Sequence, residues 1–261
     1  MSAFAVLPLA QARGERAAAL PPCGWFAELR VLAIAGGAVL TTGEHETCAL
    51  LLAGTFDLQG GTTAWPARGA RMAPTAGRPV AVFLPPRTPF RAANGDGEIL
   101  LLGARQPPAP AATGRQALQQ SPLLPLAGSL KAFDPLAGDW KPAETFPTAP
   151  ESLPPRRIAR VEVAGCAVER VFAADYKAAT LTVDEVVLPA GATLRLADLP
   201  LPAAAECLLY ARTGGELQLA AGAARAVVRG EQAVLWPGPP APLQFVASGA
   251  PAYLALAYAG K

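Results

Sequence analysis

The chain has 261 residues with 22 Lys plus Arg against 20 Asp plus Glu, a formal charge of +2, and one histidine. At 52% hydrophobic and 16% charged it can bury a large core, which excludes disorder as its main state, and its length admits one large domain or two smaller ones. Singly scattered arginines form no basic stripe, so nucleic acid is not an expected partner. Gly, Pro or a charge interrupts each apolar run well short of about 18 residues, so no membrane span is expected either.

The opening run Ala3 to Ala10, followed by Gln11-Ala12-Arg13, imitates the apolar stretch and cleavage site of a secretion signal. No positive residue precedes it and Pro8 interrupts it, so a cytoplasmic protein is expected. Cys23, Cys48, Cys166 and Cys207 form no C-x-x-C pair and are expected to be reduced, buried thiols.

With 28 prolines and 25 glycines, little room remains for helices of ordinary length, and strands are expected throughout. Trp25 to Ile34 is a mostly apolar run with Glu28 and Arg30 on one face. Cys48 to Ala53 ends at Gly54, and Thr55 to Gln59 follows as a hairpin partner or bulged continuation before the turn Gly60-Gly61. Val80 to Leu84 stops at Pro85-Pro86, and Glu98 to Gly103 closes the first half.

Residues 106–155 read as a proline-rich linker with one short helix starting near Thr113 and ending before Pro122. Alternation then resumes in short segments at Cys166–Val171, Ala179–Leu188, Glu206–Arg212, Glu216–Leu219, Ala226–Val228, Gln232–Trp236, Leu243–Val246 and Tyr253–Tyr258. Such spacing suggests an all-β barrel or sandwich, with Gly214-Gly215 as a hairpin turn. The expected organisation is a barrel over 1–105, the linker, and a second barrel over 156–261.

An internal repeat supports two barrels. Glu46-Thr47-Cys48-Ala49-Leu50-Leu51-Leu52-Ala53-Gly54 parallels Glu206-Cys207-Leu208-Leu209-Tyr210-Ala211-Arg212-Thr213-Gly214, and Gly77 to Pro85 parallels Gly230 to Pro237. A Glu-to-Gly strand, then a glycine turn, an apolar strand and a proline stop, resembles the two motifs of the cupin barrel. Two copies resemble a bicupin, a pair of jelly-roll barrels. With Gly24-Trp25, Phe83-Leu84-Pro85-Pro86-Arg87-Thr88-Pro89-Phe90, Pro154-Pro155-Arg156-Arg157-Ile158, Glu169 to Asp175 and Val187 to Gly191, the series resembles the 5-deoxyglucuronate isomerase family of myo-inositol catabolism.

That resemblance implies aldose–ketose interconversion of a sugar acid, a metal held in the second barrel by histidines and a glutamate, and assembly as a homo-oligomer, typically a dimer. Imidazole and carboxylate suit such a metal, but this chain departs from the pattern. After Pro189-Ala190-Gly191 it reads Ala192 to Pro202 without histidine, the metal glutamate's place is taken by Cys207, and the later histidine falls near Ala241. No metal and no other cofactor are therefore expected. In the first half His45, between Glu44 and Glu46, is a thin ligand set because neighbouring strand residues face opposite ways, and it reads as a solvated loop residue. The later slot, near Phe90, is apolar.

Ser121, Ser129, Ser152 and Ser248 lie in no nucleophile elbow, and neither Gly60-Gly61 nor Gly214-Gly215 opens a phosphate loop. Cys48 and Cys207 fall on opposite faces of equivalent strands, which disfavours a redox pair. The remaining candidates for a ligand-binding lining are Arg170, Arg195, Tyr210, Arg212, Trp236 and Gln244, since arginine grips a carboxylate in bidentate fashion. Asp184 and Glu185 read as an exposed strand end. The favoured reading is a degenerate, metal-free bicupin that binds a small molecule such as a sugar acid or acts as a regulatory partner. The alternatives are an active isomerase that uses acid–base side chains or a site rebuilt from carboxylates, and a structural oligomeric scaffold.

Overall fold

The computed structural model describes residues 3–105, 131–134, 139–142, 156–161, 165–172 and 180–260. The first half is built from β2 (Glu15–Ala18), β3 (Phe26–Ile34), β4 (Gly37–Thr41), β5 (Glu46–Gly60), β6 (Thr63–Arg71), β7 (Ala81–Leu84), β8 (Pro89–Ala93) and β9 (Gly97–Ala104). The second half is built from β12 (Arg156–Val161), β13 (Cys166–Phe172), β14 (Thr182–Leu188), β15 (Thr193–Arg195), β16 (Glu206–Ala221), β17 (Ala224–Trp236), β18 (Leu243–Ser248) and β19 (Ala252–Ala259). All pairings are antiparallel, and no helix among the described residues is long and apolar enough to cross a membrane. β10 (Lys131–Asp134) and β11 (Asp139–Pro142) form a small hairpin inside the segment read as a linker; the short helix expected near 113–122 lies outside the described residues.

β5 runs unbroken through Gly54, so the segment after it is the bulged continuation and not a hairpin partner. β16 likewise runs through Gly214-Gly215, where the register shifts between Thr213 and Glu216. That pair is therefore a bulge and not the hairpin turn expected from the sequence; Gly222, at φ 58°, serves the turn between β16 and β17.

The signal-like opening run is strand β1 (Ala5–Ala12), which joins the halves. Ala5 to Pro8 pair with β17, and Leu9 to Ala12 pair with β2. Each half encloses its own apolar cluster, around Leu51, Phe56, Trp65 and Phe90 in the first and around Leu194, Leu209, Trp236 and Phe245 in the second. A third cluster lies between them and draws Leu50, Phe83 and Leu102 from one half and Leu208, Tyr210 and Tyr253 from the other. The long strands consequently bury both faces. In β16, Cys207, Leu209 and Ala211 turn into the second barrel, while Leu208 and Tyr210 turn towards the first half.

Candidate functional site

The interior of the second barrel is where a cupin-type ligand would sit, and it is packed. Cys207, Leu209, Leu219, Val234, Trp236, Leu243, Phe245 and Leu256, with Phe4 from the chain's opening segment, leave a cavity of about 10 Å³. That is about the room of one water-sized sphere. Trp236 gives its indole N–H to the Pro239 carbonyl at 3.0 Å and stacks obliquely on Phe4, with ring centroids 4.8 Å apart. In the first barrel the corresponding space holds Leu51, Phe56, Leu58, Val82, Phe90 and Leu101. Roomier hollows lie on the outside. One of about 380 Å³ runs between the Arg13–Glu15 turn and β4, and one of about 220 Å³ is lined by Gln218, Arg225 and Gln244.

Polar side chains are buried instead between and around the barrels, where they are paired. Asp184 and Glu185, expected at an exposed strand end, are both buried. They point to opposite faces of β14, and each finds a guanidinium. Arg170, opposite Asp184 in the ladder, grips it in bidentate fashion at 2.9 and 3.1 Å. Burial pushes the Asp184 carboxyl up, and Arg170 opposes that shift without reversing it. Glu185 faces the shared core, where Arg71 of the first half meets it at 2.8 Å and the Tyr253 hydroxyl donates to it at 2.6 Å. Arg71 also donates to the carbonyls of Leu51, Pro74 and Ala76.

A second cluster straddles the halves. Arg16 and Arg212 both reach Glu98 of β9 and Glu231 of β17, and Tyr210 donates its hydroxyl to Glu231 at 2.5 Å. Burial pushes the Glu98 carboxyl up, but the two guanidiniums more than reverse this, so the net direction is down from its ordinary 4.5. A lowered carboxyl stabilises the fold above its unfolded value and loses that contribution as pH falls through the folded value. Glu98→Gln is therefore expected to lose about 1–2 kcal/mol at neutral pH. Urea denaturation should show this deficit shrinking below pH 4.5, the ordinary value of the carboxyl; a deficit that grew on acidification would contradict the assignment.

The two glutamates of the sequence repeat perform matching tasks. Glu206 accepts the Trp25 backbone N–H at 2.8 Å. Glu46 accepts the backbone N–H groups of Thr180 at 2.7 Å and Leu181 at 2.5 Å, and the Thr180 hydroxyl at 2.6 Å. Each half thus anchors the other just before one of its strands, β3 in the first half and β14 in the second. Gly24 permits this approach, because a Cβ there would stand 3.1 Å from the Glu206 carboxylate oxygens. His45, expected to be solvated, is instead packed between Gly43 and Gly103 with its side chain 15% exposed, and its Nε2 lies 2.8 Å from Glu28, which also pairs with Arg30.

The six candidate lining residues do not share one cavity. Trp236 belongs to the barrel packing, Tyr210 and Arg212 to the Glu98–Glu231 cluster, and Arg170 to Asp184, while Arg195 is exposed and Gln244 borders the outer hollow. Cys48 lies in the shared core and Cys207 in the second barrel, on opposite faces as expected, and burial raises both thiols far above reactivity at neutral pH. Cys166 is also buried, but Cys23 is exposed, contrary to expectation.

The metal that cupin-type sites imply does not fit these residues. The second barrel offers Cys207 among leucines, and Asp184, the carboxylate that alternation turns inward, is committed to Arg170. Ala241 lies in an exposed turn. Among the described residues no three of His, Cys, Asp and Glu converge.

No protein-family model matches the chain, and no curated protein matches it. Solved structures do. An IolB-like protein from Salmonella typhimurium LT2 is 18% identical with a TM-score of 0.63, covering 98% of this chain and 92% of that one. AerE from Microcystis aeruginosa is 10% identical with a TM-score of 0.56, covering 98% and 97%. A mutant of the Bacillus subtilis oxalate decarboxylase OxdC is 12% identical with a TM-score of 0.55, covering 98% and 76%. Together with the two barrels, this likeness makes the fold an all-β cupin fold.

Proposed function

We propose that the protein is a non-catalytic bicupin, a binding or scaffolding module and not a sugar-acid isomerase. The observation that carries this reading is the apolar packing of the second barrel, whose cavity of about 10 Å³ has neither the room nor the hydrogen-bonding groups a sugar acid requires. A polyhydroxylated acid placed there would exchange water for leucine, phenylalanine and tryptophan side chains, a transfer without compensation. The outer surface fits a module that works through contacts. Among the described residues β4 pairs along one edge, with β8, and Val39 at its centre is 75% exposed. Assembly of copies through such edges is part of the proposal.

A thermal-shift screen of the full chain against glucuronate, galacturonate and gluconate tests the reading, because any ligand that prefers the folded state raises the melting temperature. A flat response is expected. A saturable rise with any of them would overturn the reading of the barrel as closed to sugar acids, and formation of a keto acid from glucuronate by the same protein would overturn the non-catalytic reading itself.

A further inference from the structure

We propose that the mouth of the second barrel is a binding site for a small apolar ligand, of the size of one aromatic ring or branched alkyl group, whose place Phe4 occupies in this structure. The inference rests on the reading of that barrel as an apolar, non-catalytic interior and adds the class of molecule it accepts.

Phe4 differs from the other residues around the cavity. The remaining eight are contributed by the strands of the second barrel or their ends, and each is buried. Phe4 comes from outside those strands and is only partly buried, its ring covering the cavity against Trp236. The β1–β17 ladder begins at Ala5 opposite Leu235, so Phe4 precedes the first paired residue. Its ring can swing away without breaking a ladder hydrogen bond, and the strand that carries it stays in place through Ala5 to Pro8. What opens is a recess bounded by Leu209, Leu219, Val234, Leu243, Phe245 and Leu256. The indole N–H of Trp236 is already satisfied by Pro239, so the recess makes no polar demand on a guest. An apolar hollow of this kind stays dry and takes hydrocarbon in preference to water. Phe4 then acts as an intramolecular competitor, and the apparent affinity for a guest is reduced by the fraction of molecules in which the ring is out.

Toluene is the probe. Titrated into the full-length protein, it is expected to move the indole N–H resonance of Trp236 saturably, with that resonance assigned by its absence in Trp236→Phe. Phe4→Ala should bind about tenfold or more tightly than the native chain, because the competitor is gone, and Phe4→Trp should bind more weakly. Equal affinity in the native chain and Phe4→Ala, no saturable response in either, or a response at Trp65 of the first barrel in place of Trp236 would each overturn the proposal. Failure here with a flat sugar-acid screen leaves the non-catalytic reading standing; a positive sugar-acid screen overturns the closed, apolar interior on which both readings rest, whatever toluene does.

Discussion

Glu46→Ala is expected to lower the free energy of unfolding by about 3–5 kcal/mol, because three donors that meet a fully buried carboxylate would be left without it. The alanine side chain supplies no acceptor in place of the carboxylate that Thr180 and Leu181 donate to. Glu206→Ala, with one N–H bond to Trp25, should cost less, about 1–2 kcal/mol. Both variants should still unfold in a single transition, since the halves share an apolar core and strand β1 pairs with each. Urea denaturation followed by tryptophan fluorescence and circular dichroism measures all of this. Two separated transitions in Glu46→Ala, or a loss no larger than that of Glu206→Ala, would contradict the role assigned to the repeat glutamates.

Arg71→Met should be comparably damaging, about 3–5 kcal/mol at neutral pH, because it strands Glu185 in the shared core. The pH dependence distinguishes this from lost packing. Burial raises the Glu185 carboxyl above its ordinary 4.5, and Arg71 works against that rise. A raised carboxyl contributes its stability below the unfolded value and loses it as pH climbs through the folded value. Removing Arg71 raises the folded value further, so the deficit should be small near pH 4 and grow towards pH 7. The double variant Arg71→Met, Glu185→Leu should recover most of the neutral-pH loss, since a buried pair replaced whole by apolar groups costs little. A deficit independent of pH, with no recovery in the double variant, would show that the guanidinium matters for its carbonyl contacts and not for Glu185.

These two clusters also explain what the sequence made visible. The two-barrel plan was readable because Glu46–Gly54 and Glu206–Gly214 repeat a strand that both barrels need. The functions of those glutamates were not readable, because their partners, Thr180, Leu181 and Trp25, are remote in the chain and use backbone groups that every residue carries. Tyr210 and Arg212 look like pocket residues by alternation, but β16 is covered on both sides, so alternation no longer marks which face is the interior. Asp184-Glu185 looks solvent-exposed for the same reason: adjacent charges point to opposite faces, and each face here meets an arginine. β6 carries no strand signal in the sequence, because Pro66 and Gly69 interrupt it and much of it is exposed. Strand β1 resembled a secretion signal because its apolar side chains meet the second barrel and the shared core. The apolar filling of the barrels was not readable, because the many Leu, Val and Ala suit an open or a filled interior alike, and neither was Phe4 as the residue that completes it, since nothing near it in sequence points to Trp236.

Among the described residues neither barrel carries a set of donors able to hold a catalytic ion. The decisive readout is the metal content of the purified full-length chain, expressed with manganese, iron, nickel and zinc supplied and passed through gel filtration. Each metal is expected far below one equivalent per chain. One equivalent of any of them, retained through the column and lost together with thermal stability on chelation, would contradict it.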